Sequence, residues 1–316
     1  MKTKFLILPL LLLSVVTIAQ TDSSFTETPI TLDTITGKIY GTLCTPIKFT
    51  QIPVALIIAG SGPTDRNGNN SMGLSTDAYK ILAHRLSDKG IATLRYDKRG
   101  IAASTDAGPK EEDLRFDTYI DDAKAWVELL KADKRFSEVD IIGHSEGSLI
   151  GMDVATNDVR KFVSLAGAGQ SADKVLKQQL ANLPKMGRDT AFRMLDSLTA
   201  GKTISHVDPT MFSLFRPSVQ PYMISWIRHD PQVDIKKLNI PVLIIQGTSD
   251  VQVDTNDAKR LYVADPKAKL IIIKGMNHVL KDVGDDKDAN TKSYTDPTIP
   301  FDKELVEDIT SFITAK

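Results

Sequence analysis

Short, nearly continuous apolar runs separated by helix-length stretches constrain this chain more than any other feature. Val54-Ala55-Leu56-Ile57-Ile58, Ile91–Tyr96, Val139–Ile142, Lys161–Leu165, Pro241–Ile245 and Lys269–Ile273 are such runs. An unbroken run suits a strand buried on both faces, whereas a half-solvated strand alternates apolar and polar residues. Between the runs, apolar residues recur at helical spacing. Tyr79, Ile81, Leu82 and Leu86 mark a helix over 76–89, closed by Gly90 in a C-cap position. Tyr119, Ala123, Trp126, Val127 and Leu130 mark another over 117–132, and residues 146–156 and 302–314 read as helices too. Strands alternating with helices predict an α/β fold: a mostly parallel sheet covered on both faces, with right-handed crossovers.

Two segments depart from that rhythm. Residues 30–50, with Leu32, Ile35, Ile39 and Leu43 among polar neighbours, predict a β-hairpin turning at Thr36-Gly37-Lys38. Between about 170 and 235 there is no strand-like run. Val175, Leu176 and Leu180, then Phe192, Met194, Leu195 and Leu198, fall at helical spacing, and an apolar segment follows from Met211 to Trp226. This stretch predicts a helical cap inserted into the α/β core, its apolar residues packing it onto the sheet.

The first residues read as an address. Lys2 and Lys4 precede an apolar run from Phe5 that continues to Ala19, and the polar stretch Gln20-Thr21-Asp22-Ser23-Ser24 follows. That is the pattern of a secretory signal peptide over residues 1–20, cut near Ala19 or Gln20. The run is shorter than the ~20 residues a spanning helix needs and contains Pro9. No stable membrane insertion is therefore expected after cleavage, and a periplasmic or secreted domain over 21–316 is. Cys44 is the single cysteine, so no intramolecular disulfide can form, and it reads as a small buried side chain. Formal net charge is −1, which offers nothing to attract nucleic acid. The sequence says nothing of oligomeric state.

Chemistry is concentrated at Gly143-His144-Ser145-Glu146-Gly147, directly after the run Val139–Ile142 and before a helix. A serine on a sharp strand-to-helix turn needs glycine two positions either side, because side chains there would clash. The turn lifts the hydroxyl above the sheet, and the following helix aims its N–H groups at developing negative charge. A serine hydroxyl also needs a base held by a third group. In the strand–turn–helix arrangement the order along the chain is Ser, then Asp or Glu, then His. Of the histidines after Ser145, His206 and His229 lie in the expected cap, and His278 follows the last strong strand run. His278 is thus the candidate base. Asp250, in the turn after Pro241–Ile245, is the candidate acid. Asp254 is the alternative, its competing role being to cap a helix that begins near Thr255. Two backbone donors are needed for an oxyanion: the N–H of Glu146, after the nucleophile, and that of Ser61 in Gly60-Ser61-Gly62-Pro63, with Gly62 as the alternative.

Ser145, Asp250 and His278 in that order resemble the α/β-hydrolase superfamily over essentially the whole chain after residue 20. The segment from Ile58 to Gly68, Ile-Ala-Gly-Ser-Gly-Pro-Thr-Asp-Arg-Asn-Gly, and Arg95-Tyr-Asp-Lys-Arg-Gly-Ile101 resemble a group of bacterial secreted carboxylesterases. The resemblance implies the α/β-hydrolase fold and carboxylesterase activity, with short acyl esters as small-molecule substrates. Many relatives carry His where Ala59 stands and Gly where Ala102 stands. Asp65, Arg66 and Asn67, like Asp97 and Arg99, read as braces between turns rather than as groups at the pocket mouth.

The sequence contains no HExxH, CxxC or calcium-loop pattern, and Gly60-Ser61-Gly62 lacks the remainder of a nucleotide-binding loop. No metal or other cofactor is expected, and Asp282, Asp285, Asp286 and Asp288 read as a solvated loop. The expected reaction is acyl transfer to water through an acyl-Ser145 intermediate. A serine aminopeptidase on the same fold would need acidic groups in the cap for a substrate amine, whereas Met211–Trp226 is apolar and its region basic through Arg216 and Arg228. An acyltransferase would use the same three residues while excluding water. A binding protein that has lost them is the remaining alternative.

Overall fold

A computed structural model describes residues 24–155 and 158–315. The expected signal peptide, residues 1–20, lies outside the described residues. Eight strands form one sheet: β1 (Phe25–Thr34), β2 (Gly37–Pro46), β3 (Ile52–Ile58), β4 (Ala92–Tyr96), β5 (Phe136–His144), β6 (Phe162–Leu165), β7 (Val242–Gly247) and β8 (Lys269–Ile273). Their order across the sheet is β1-β2-β4-β3-β5-β6-β7-β8. The first two pairings, β1 with β2 and β2 with β4, are antiparallel, and every later one is parallel. This is the α/β-hydrolase arrangement that the alternating runs imply.

The unbroken apolar runs explain why the sheet is covered twice. Along β3, Val54, Leu56 and Ile58 point into one core with Trp126, Ile150 and Leu261, while Ala55 and Ile57 point into the other with Leu82, Leu86, Leu305 and Ile309. The helices α1 (Ala78–Asp88), α2 (Phe116–Ala132) and α3 (Glu146–Val154) follow strands β3, β4 and β5. Between β6 and β7 the chain forms α4 (Ala172–Gln179), α5 (Lys185–Thr199), α6 (Phe212–Phe215), α7 (Gln220–Ile227) and α8 (Pro231–Ile235). This segment has its own small core of Ala191, Leu195, Leu198, Phe215 and Met223. The helices α9 (Thr255–Ala264), α10 (Lys287–Lys292) and α11 (Lys303–Thr314) complete the chain. Among the described residues no helix is long and apolar enough to cross a membrane.

Three local expectations are corrected. The hairpin begins at Phe25, and Thr34 pairs with Gly37, so the turn is Ile35-Thr36 rather than Thr36-Gly37-Lys38. Ile35 sits fully exposed at its tip, which is why its apolar side chain misleads as a strand signal. The acidic loop after His278 contains a helix start, because Asp286 accepts hydrogen bonds from the N–H groups of Asp288 and Ala289 at the head of α10.

Candidate active site

The sheet order reverses its direction of growth at β3, which has β4 on one side and β5 on the other. Loops leaving β3 and β5 therefore diverge, opening a crevice at the carboxyl ends of the strands where such folds take their ligands. Ile58 lies opposite Gly143 in the β3–β5 register, which sets Gly60-Ser61 beside Ser145. A Cβ on Gly60 would sit 3.2 Å from that of Ser145, so the loop approaches as closely as glycine allows.

Ser145 has φ 54° and ψ −119°, a strained conformation for a residue with a side chain. Side chains at the flanking glycines would collide with backbone: Gly143 with the carbonyl of Gly147, and Gly147 with that of Ile58. The turn is held by the Ser145 N–H donating to the Leu165 carbonyl at 2.9 Å. Ser145, His278, Gly60 and Ser61 line one cavity of about 90 Å³ with Tyr79, His144, Gln252, Val279 and Tyr294 among its walls.

Asp250 and His278 come together after β7 and β8. His278 Nδ1 is 2.7 Å from Asp250 Oδ2, and both side chains are buried. Burial works against the Asp250 charge, but the His278 ring and the N–H groups of Val253 and Gln252 outweigh it and hold the carboxyl below its ordinary range. Those N–H groups donate to Oδ1 at 3.0 and 2.8 Å, and Gln246 Nε2 donates to Oδ2 at 2.9 Å. Because Nδ1 carries the proton given to the carboxylate, Nε2 is the basic nitrogen. Asp254 is elsewhere in function: its side chain caps α9 by accepting from the N–H groups of Asn256 and Asp257.

A second chain of bonds runs behind the serine. Gly60 N–H donates to Tyr79 Oη at 3.0 Å, Tyr79 Oη lies 2.8 Å from His144 Nδ1, and His144 Nε2 lies 2.8 Å from the His278 carbonyl. A carbonyl only accepts, so His144 carries its proton on Nε2 and receives the Tyr79 hydroxyl on Nδ1. Burial, and then the neighbouring His278, push the His144 pKa down to about 3, so its ring is neutral. The Gly60 N–H being committed to Tyr79, the next donor in the loop is Ser61. No hydrogen bond within the described residues takes the N–H of Ser61 or of Glu146.

The charged loops act as braces. Arg66 binds Asp97 through its backbone N–H at 2.8 Å and its guanidinium at 2.6 Å, Asp65 accepts from the N–H groups of Asn67 and Asn69, and Arg99 grips Asp122. Cys44 is fully buried on β2, and burial raises its thiol pKa to about 11. Sequence reading passed over Tyr79, Gln246, Lys98 and Tyr222. Of these only Gln246 carried a local signal, as a polar residue ending an apolar run.

Residues 70–233, just over half of the chain, match the family described as serine aminopeptidase, S33. The chain belongs to that family. The matched span contains Ser145 and stops before Asp250 and His278. The chain is 27% identical over 265 residues to esterase EstD of Thermotoga maritima, an alignment covering 81% of this chain and 60% of that protein. It thus spans about three fifths of that relative's length. Among solved structures it is similar to Est1E from Butyrivibrio proteoclasticus, with 17% identity, a TM-score of 0.57 and coverage of 90% and 95% of the two chains. An esterase from Exiguobacterium antarcticum gives 16% identity, a TM-score of 0.56 and coverage of 91% and 100%. These likenesses establish the α/β-hydrolase fold.

Proposed function

We propose that this S33-family chain is a secreted or periplasmic serine hydrolase of short-chain carboxylic esters, with Ser145 as nucleophile, His278 as general base and Asp250 as its partner. Ser145 Oγ attacks the acyl carbonyl as its proton passes to His278 Nε2. The resulting oxyanion is held by the N–H groups of Ser61 and Glu146. Collapse breaks the bond to the alcohol oxygen, which takes the proton from His278, and leaves acyl-Ser145. Water then adds to the acyl carbon through the same base, releasing the acid and free Ser145. Asp250 keeps the imidazole in the required tautomer and stabilises the imidazolium. None of these steps calls on a cofactor.

The observation that carries this reading is that His278, hydrogen-bonded to the buried Asp250, lines the same cavity as Ser145. The choice of ester over aminoacyl substrates rests on the walls of that cavity, where no carboxylate among the described residues stands to pair with a substrate ammonium. Its volume of about 90 Å³ favours a short acyl group, since pockets for drug-sized ligands span roughly 300–1,000 Å³. The relative EstD bears the name esterase, which agrees. The test is hydrolysis of p-nitrophenyl acetate, butyrate, octanoate and palmitate against a panel of aminoacyl p-nitroanilides. Turnover that falls with acyl length and is lost in Ser145→Ala is expected. Anilide turnover without ester turnover would move the assignment to the aminopeptidase activity in the family's description.

A further inference from the structure

Lys98 follows β4 in the segment Asp97-Lys98-Arg99, and each of the three is paired with a different element. Asp97 holds Arg66 and Arg99 holds Asp122. Lys98, 1% exposed, donates from Nζ to the Gly60 carbonyl at 2.7 Å and to Glu146 Oε1 at 2.9 Å, and lies 4.8 Å from the centre of the Tyr119 ring. Tyr222, from α7 of the helical segment over the sheet, donates to the other Glu146 oxygen at 2.8 Å.

A buried ion pair of this kind is weak evidence for stability, because desolvating both charges offsets their attraction. Its placement has a consequence for the two backbone donors. The Gly60 carbonyl and the Ser61 N–H belong to one peptide unit, and no peptide bond among the described residues is cis. In a trans peptide the two bonds point in opposite directions. A cation fixed on the carbonyl therefore sets the direction of the N–H and polarises it as a donor. The same ammonium binds the side chain of Glu146, whose own N–H is the second donor.

We propose that Lys98 is a positioning residue of the oxyanion site: through the Gly60 carbonyl it aims the Ser61 N–H, and through Glu146 it ties that donor to the one at the head of α3. Tyr222 extends the link to the cap. This inference rests on the ester-hydrolase reading above.

The test compares wild type, Glu146→Gln and the double variant Lys98→Met with Glu146→Gln, which removes the buried ion pair without leaving a lone charge. A p-nitrophenyl phosphonate counts competent sites in each preparation. Then kcat and KM are measured on p-nitrophenyl butyrate, along with affinity for a trifluoromethyl ketone of the same acyl length, whose adduct with Ser145 bears an oxyanion. Losing a whole donor costs roughly 10²–10³ in kcat, so misaiming one predicts a fall of about 10- to 100-fold from Glu146→Gln to the double variant. Ketone affinity should fall by a like factor while KM stays within about 3-fold, the signature of an interaction made in the transition state. A double variant with fewer competent sites but unchanged kcat per site and unchanged ketone affinity would overturn the assignment and leave ester hydrolysis standing. Wild-type protein without Ser145-dependent turnover would overturn both.

Discussion

Asp250 and Asp254 lie four residues apart in one loop, and their surroundings give them different tasks. Asp250 receives His278, Gln246 and two N–H groups, while Asp254 serves the first turn of α9. Asp250→Asn is predicted to lower kcat by about 10⁴ through the wrong imidazole tautomer. Asp254→Ala should cost about 1 kcal/mol of stability in denaturant unfolding and leave kcat unchanged. Equal damage to kcat from both would contradict these roles. Ala102, at φ 46°, holds a left-handed conformation that glycine adopts without a Cβ penalty. Ala102→Gly relieves about 1–2 kcal/mol of backbone strain, less the roughly 0.5–1 kcal/mol by which glycine's freedom favours the unfolded chain. A small rise in melting temperature is expected, and a fall would mean that the turn carries no strain. Gly143 was legible because its need is local, the carbonyl of Gly147 in the same turn; Gly147, set against the Ile58 carbonyl of β3, was legible only through the strand–turn–helix pattern. Gly247 was not: its constraint is the Met276 carbonyl, which comes from the loop after the next strand.

At the scale of elements, the joint between cap and sheet holds a titrating contact. His229, between α7 and α8, lies 2.8 Å from Asp153 of α3 and 3.7 Å from Asp117 of α2. Burial opposes its charge, but the neighbouring carboxylates of Asp153, Asp117 and Asp234 outweigh it and raise its pKa. A group raised in the folded state adds stability that is full below its unfolded value near 6.5 and vanishes as pH rises through the folded value. The melting-temperature gap between wild type and His229→Gln is therefore predicted to be larger near pH 6 than near pH 9. A gap that is flat or grows with pH would contradict the pairing. β3 and β7 were readable because being covered on both faces leaves an unbroken apolar run, whereas β4 and β5 carry Arg95 and Asp140 within theirs and β8, at the sheet edge, leaves Ile272 exposed. α10 was not, since a six-residue helix capped by Asp286 in an acidic stretch has no apolar periodicity to announce it.

For the whole molecule, the site exists only because strands far apart in sequence end side by side. Ser61, Ser145, Asp250 and His278 follow β3, β5, β7 and β8. Chain order and strand ends were enough to nominate these four residues, because the fold permits only certain loops to reach the crevice. The network behind them, Tyr79 with His144 and Lys98 with Glu146 and Tyr222, joins separate elements and had no local mark. Export is predicted to remove the first residues. N-terminal sequencing of protein recovered outside the cytoplasm should begin near Gln20 or Thr21, just after the cut, and an intact Met1 there would contradict the signal-peptide reading. Peptide mapping after reaction with a fluorophosphonate asks the protein itself whether Ser145 is the nucleophile. A single adduct is expected on the peptide carrying Ser145, formed far more slowly in His278→Ala and absent in Ser145→Ala. An adduct on another serine, or none on the folded wild-type protein, would contradict it.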